Sequence, residues 1–229
     1  MALVPLAAAS AATLPRCSTP PRATLSGVGP VPTTERQALL EAITAVGPDR
    51  GIFGLDAVTR ASIDALAVAL ETASPVAAPL HRLDDLLNGR WRLLYTTLTI
   101  LGRRRSRLSL STASKAGFVS LGELYQNVDA AAAVAESVVQ FRVMGRVEGA
   151  FAITASFKPE TDRRVEVVAT GSSLTPPGLE KLLGENRGLL TKIFDPTGWL
   201  DITYLDDQGY RLGRDDKGHL FVLQKVEEA

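Results

Sequence analysis

The chain has 229 residues, 45% of them hydrophobic, with 25 Lys and Arg against 25 Asp and Glu and a single cysteine. That balance excludes a nucleic-acid binder, which needs a basic excess on one face. One cysteine excludes a disulfide framework, and no run of eighteen or more uncharged apolar residues is present to cross a bilayer as a helix.

Residues 1–34 hold no Asp or Glu, two Arg (Arg16 and Arg22), and many Ala, Ser, Thr and Pro. Such a composition cannot bury a core, and being acid-poor and hydroxyl-rich it fits an organellar transit peptide. The apolar run Leu3 to Ala12 also fits a signal-peptide core, but no basic residue precedes it and the Ser/Thr/Pro/Arg region continues well beyond it. Plastid import is therefore the expectation, with the mature protein starting near Glu35. Cys17 would leave with the leader, taking thiol and Cys-metal chemistry with it. The remaining 195 or so residues suit one domain.

Two helices are expected over 33–47 and 56–73. Leu39, Leu40, Ile43 and Val46 recur at helical spacing before Gly47-Pro48 stops the first. Leu55, Val58, Ile63, Leu66 and Leu70 make one broad apolar face of the second, which ends at Ser74-Pro75. The segment 35–80 is expected to pack on the domain formed by 81–229.

From Asn88-Gly89 onward the period changes to two. Asn-Gly favours positive φ, and Trp91, Leu93, Leu94, Tyr95 and Thr96 supply the bulky and β-branched side chains of a strand. Val139, Phe141 and Val143 alternate with Val138, Gln140 and Arg142; Phe151, Ile153, Ala155 and Phe157 alternate with Ala152, Thr154 and Ser156. Further strands are expected over 107–110, 118–126, 163–170, 199–205, 210–213 and 219–225. Some nine short strands joined by Gly, Asp, Asn and Pro turns describe a mainly β, antiparallel barrel or sandwich with helices at its N-terminus. A barrel of about eight strands encloses room for side chains or one small ligand.

Between these strands, Ser172 to Thr197 is too long for a hairpin. Leu179, Leu182, Leu183, Leu189, Leu190, Ile193 and Phe194 follow helical spacing, interleaved with Lys181, Glu185, Arg187 and Lys192. It is one helical insertion before the last strands, read either as a plug for one barrel end or as a lid or lipid contact through Leu182, Leu189 and Phe194. Arg103, Arg104, Arg105 and Arg107 form a basic loop, either solvated or, near an anionic lipid surface, a second contact worth about 1 kcal/mol per residue.

Gly89-Arg90-Trp91-Arg92-Leu93-Leu94-Tyr95-Thr96-Thr97 opens the strand region, Leu124-Tyr125-Gln126-Asn127-Val128 lies in the middle, and Gly198-Trp199-Leu200-Asp201-Ile202-Thr203-Tyr204-Leu205-Asp206-Asp207 with Tyr210 to Gly218 closes it. In this order the three motifs resemble the plastid lipid-associated proteins, the fibrillins, over about residues 35–226. The resemblance implies a lipocalin-like barrel in plastids, on plastoglobules or thylakoids, associated with small hydrophobic molecules or lipids and with no established catalytic centre. Gly89 and Trp91 then match the Gly-x-Trp that opens lipocalin-type barrels, with Arg214 expected across the indole and Arg211 as the alternative. The paired acids Asp206-Asp207 and Asp215-Asp216 fall on hairpin turns, where Asp hydrogen-bonds its own backbone.

Expected lining residues are Trp91, Tyr95, Phe141, Phe151, Ile153, Phe157 and Tyr204, on the assumption of unbroken alternation. A one-residue register change would send them to the outside. No nucleophile with a base, metal cluster or phosphate loop is visible, so neither catalysis nor a cofactor is expected. The sequence thus points to a carrier of a prenylquinone, carotenoid, fatty acid or similar molecule. The alternatives are a structural coat on plastid lipid bodies and an adaptor for a plastid lipid-biosynthetic enzyme.

Overall fold

The computed structural model describes residues 33–101, 110–112, 119–179 and 186–227. The expected transit leader, Arg103, Arg104, Arg105, Arg107 and Leu182 lie outside the described residues.

Two helices come first, α1 over Thr33–Val46 and α2 over Ala57–Thr72. Gly47 at φ +81° ends α1, a backbone state glycine reaches without strain. Asp56 starts α2 by accepting from the amides of Val58 and Thr59 at 3.1 and 2.9 Å. A 3-10 turn at Pro79–Arg82 and a π turn at Leu83–Leu87 follow, neither anticipated from the sequence.

The strands are β1 Gly89–Thr96, β2 Leu110–Thr112, β3 Val119–Asp129, β4 Val134–Val143, β5 Val147–Pro159, β6 Arg164–Thr175, β7 Gly198–Leu205, β8 Tyr210–Asp215 and β9 Leu220–Val226. Helix α3, Asn186–Ile193, lies in the insertion between β6 and β7. The sheet order is β1-β9-β8-β7-β6-β5-β4-β3-β2, and β1 also pairs with β3. Eight antiparallel strands therefore close a barrel, and β2 adds to β3 in parallel. The fold is the expected mainly β, lipocalin-like barrel with N-terminal helices and one helical insertion.

The closing seam is short. β1 pairs with β3 only from Gly89 opposite Val128 to Arg92 opposite Tyr125, while β2 covers Val119 to Leu121. Arg50 fills the gap: its side chain donates to the Gly122 carbonyl at 3.1 Å and pairs with Glu123, while its own carbonyl accepts from the Thr96 amide at 2.9 Å. The loop after α1 thus replaces a missing stretch of strand pairing.

Two hydrophobic cores result. One fills the barrel and includes Leu87, Trp91, Leu93, Val139, Phe141, Phe151, Ile153 and Leu223. The other lies outside it, where Leu39, Ile43, Ile63, Ala67 and Leu70 of α1 and α2 pack on Tyr95, Tyr204, Leu212, Leu220 and Val222. Sheet and helices meet there because α1 and α2 each carry one apolar face that must be covered.

Two β-bulges decide which core receives the tyrosines. On β1, Leu93 faces Leu223 but Tyr95 faces Val222, so Leu94 and Tyr95 together oppose a single step of β9. On β7, Ile202 faces Gly213 and Tyr204 faces Leu212 in the same way. An extra residue inverts the alternation beyond it. Trp91, Leu93 and Ile202 point inward, and Tyr95 and Tyr204 point out beneath the helices. The expectation that these two tyrosines line the barrel is corrected accordingly.

Candidate functional site: an apolar cavity with a buried cation

The barrel holds a partly open cavity of about 460 Å³. That is within the ~300–1,000 Å³ of small-ligand pockets. Its walls are largely aliphatic, with Leu93, Leu124, Val139, Val165, Val167 and Leu223 supplied by β1, β3, β4, β6 and β9. Leu80, Leu83 and Leu87, from the turns that precede β1, cover the end where β1 begins. Ile193 and Phe194 at the close of α3 also line it, as do Asp215, Asp216, Lys217 and His219 at the end of β8 and in the β8–β9 turn.

The closed end is built around Trp91, which is 0% exposed and, against the expectation, belongs to the barrel core and not to the cavity lining. Its Nε1–H donates to the Leu87 carbonyl at 2.8 Å, one of the carbonyls the π turn leaves free. The Arg211 guanidinium lies over the ring, 4.6 Å from its centroid, and Lys225 Nζ lies 5.6 Å away while donating to the Leu86 carbonyl at 2.9 Å. The arginine across the indole is thus Arg211 and not Arg214. On β8, Arg211 and Gly213 face inward, so Leu212 and Arg214 face the helices. Arg214 there pairs with Glu71 and Asp64 of α2 at 2.8 and 3.0 Å. Gly89 has φ +113°, and a Cβ there would come within 3.2 Å of the Lys225 side chain, so the close neighbour is a side chain and not a backbone.

Arg211 crosses from β8 to β3, where its Nη2 donates to Oε1 of Gln126. Both residues line the cavity. Burial pushes the guanidinium down to about 9, which leaves it charged at neutral pH.

The remaining expected residues divide by depth. Phe157 lines the cavity. Phe141, Phe151 and Ile153 face the barrel interior but are packed solid at 5%, 1% and 2% exposure, and belong to the core beyond the cavity. Leu189 and Phe194 are half-buried against that same core, and Phe194 reaches the cavity. Gln126, Arg211 and the aliphatic residues of β3 and β6 were not singled out as lining. Their signal was present in the spacing Leu124, Gln126, Val128, where a polar residue sits in an otherwise apolar inward row.

The paired acids are structural. Asp206, 1% exposed, accepts from the amides of Gln208 and Tyr210 at 3.0 and 2.8 Å, from Tyr204 Oη at 2.7 Å and from Arg36 Nη1 at 2.7 Å. The turn is held by Asp206, the first acid of its pair. Asp215 holds the next turn through the amides of Lys217 and His219 at 3.0 and 2.7 Å.

An eight-stranded closed barrel, an indole stacked under a cation at one end and an apolar interior define a lipocalin-type barrel. The chain matches PAP_fibrillin over residues 33–224 and belongs to that family. It is similar to plastid lipid-associated protein 1 of Brassica campestris, 28% identical over 232 residues, which covers 83% of this chain and 67% of that protein. A chromoplast-specific carotenoid-associated protein C1 of an Oncidium hybrid cultivar is 28% identical over 78% of this chain and 65% of its own length. Plastoglobulin-1 of Pisum sativum is 30% identical over 60% of this chain and 36% of its own. No solved structure is significantly similar.

Proposed function

We propose that this protein works in plastids, at plastoglobules or thylakoids, by holding one small hydrophobic molecule or lipid chain inside its barrel. The observation that carries the reading is the partly open, largely aliphatic cavity of about 460 Å³ inside the barrel. A barrel that only coated a lipid surface would gain nothing from leaving that volume unfilled, because empty apolar space forfeits dispersion contacts. The names of the relatives, which speak of plastid lipid association, carotenoid association and plastoglobules, support the compartment and the lipid partner. The role is binding rather than catalysis, with α1, α2 and the turns before β1 as structural support.

Native mass spectrometry after incubation with a plastid lipid extract tests this. A discrete adduct of one small molecule per chain is expected. A chain that floats with lipid particles but carries no adduct would transfer the assignment to a surface coat. A saturable complex with a lipid-biosynthetic enzyme that survives delipidation would point to an adaptor.

A further inference from the structure

Arg211 is 4% exposed and sits in an apolar barrel. Arg36, Arg50, Arg82, Arg142, Arg164 and Arg214 each pair with a carboxylate. Among the described residues, none pairs with Arg211: its contacts are the Trp91 face and the neutral Oε1 of Gln126. A second cation, Lys225, stands on the same indole and adds positive potential. A buried charge without a counter-ion is costly, and a neutral side chain of similar size could cap Trp91 without that cost. Cation–π attraction to Trp91 offsets part of that cost, but the rest of the guanidinium fork has no anionic partner among the described residues.

We propose that the cavity is built for a single-chain amphiphile with a carboxylate head, seated on Arg211 and Gln126, its hydrocarbon running toward Phe194 and Ile193. This rests on the binding role inferred above and names its ligand class. Three features fit. The guanidinium fork matches a planar carboxylate in two parallel hydrogen bonds. Gln126 spends its oxygen on Arg211, which leaves its amide NH₂ to donate to the same head group. Aliphatic residues, Leu93, Leu124, Val139 and Leu223, line the cavity alongside the pair and suit a hydrocarbon tail. A wholly apolar hydrocarbon offers the cation no counter-charge.

The test uses the full chain and three probes of one chain length: palmitic acid, methyl palmitate and hexadecanol, titrated by calorimetry at neutral pH. The acid is expected to bind at least about tenfold tighter than the ester and the alcohol. Gln126→Leu is expected to shrink that preference and Arg211→Met to abolish it while ester binding persists. Because the three-probe comparison is made on the unsubstituted chain, it decides the matter even where Arg211→Met does not fold. Equal affinities for acid, ester and alcohol would overturn the carboxylate assignment and leave the lipid-binding role standing. Absence of binding by all three would overturn this assignment, whereas the binding role itself is decided by the adduct test with plastid lipid extract.

Discussion

Arg214 donates from Nε to Glu71 Oε1 at 2.8 Å and from Nη2 to Asp64 Oδ1 at 3.0 Å, which ties β8 to the barrel-facing side of α2. Both acids lie on one helix face, seven residues apart, so a single side chain clamps two turns of helix. Arg214→Ala is expected to lower stability by about 1–2 kcal/mol, since these are charge-assisted bonds in a half-buried place. Lipid uptake should not change, because Arg214 lies outside the barrel. Denaturant melts with a parallel uptake assay check both halves.

Gly51 is the position where the loop after α1 touches the barrel. It has φ +82°, and a Cβ there would strike the Thr96 carbonyl and come within 2.8 Å of the Tyr95 ring. The left-handed backbone alone costs a non-glycine residue about 1–2 kcal/mol. Gly51→Ala is therefore expected to destabilise by more than about 2 kcal/mol and to loosen the Arg50 bridge across the seam. Hydrogen exchange at the Thr96 and Ile100 amides, which donate to Arg50 and Ile52, reads the bridge directly.

Burial raises the Tyr204 hydroxyl above its ordinary value of 10.0, and its hydrogen bond to Asp206 raises it further. Tyr95 is raised as well, chiefly by burial. The folded chain therefore holds these protons at a pH where the unfolded chain has lost them. Their contribution is complete below about pH 10 and disappears as pH climbs beyond it. Tyr204→Phe is expected to flatten that alkaline decline. Denaturation midpoints taken between about pH 8 and 11 give the slope for both chains.

Trp91→Phe removes the donor that satisfies the buried Leu87 carbonyl and shrinks the surface under Arg211. An unsatisfied buried acceptor costs about 1–3 kcal/mol, and the lost volume adds to it. The expected loss of about 2–4 kcal/mol is read from chemical denaturation. Near-ultraviolet circular dichroism then reports how far the closed end reorganises.

Ala155 is 2% exposed and lines the cavity from β5. Ala155→Leu extends apolar atoms into open space, so stability is expected to hold or to rise by about 1 kcal/mol. Uptake of a lipid chain is expected to fall by about tenfold or more. A variant that kept full uptake would place the lipid on the surface and not within the barrel.

Much of the fold was legible from local pattern. The apolar faces of α1 and α2, the period-two runs of β4 and β5, the turn residues and the Gly89-Arg90-Trp91 opening each constrain a few neighbouring residues, and such constraints are written in the chain itself. The three separated motifs were enough to reach the family. The cavity lining was less legible. Tyr95 follows Trp91 and Leu93 in perfect alternation, yet the bulge at Leu94 turns it outward, and the bulge on β7 does the same to Tyr204. A bulge is chosen by how two strands fit, so neither strand announces it alone.

Arg211 and Arg214 show the same division. Three residues apart on one strand, they point to opposite faces, and only the register of β8 against β7 and β9 decides which meets Trp91 and which meets α2. By itself the sequence determined some nine short antiparallel strands of a barrel or sandwich and a pair of N-terminal helices, because period, turn chemistry and composition act over short spans. The resemblance of its three motifs to the fibrillins added the lipocalin-like barrel with Trp91 at its opening. Tertiary structure alone decided that the cation over the indole is Arg211, that it reaches Gln126 on β3, and that among the described residues no carboxylate pairs with it. Those facts depend on residues far apart in the chain, Gln126 being 85 positions from Arg211 and Trp91 farther still, brought together only when the barrel closes.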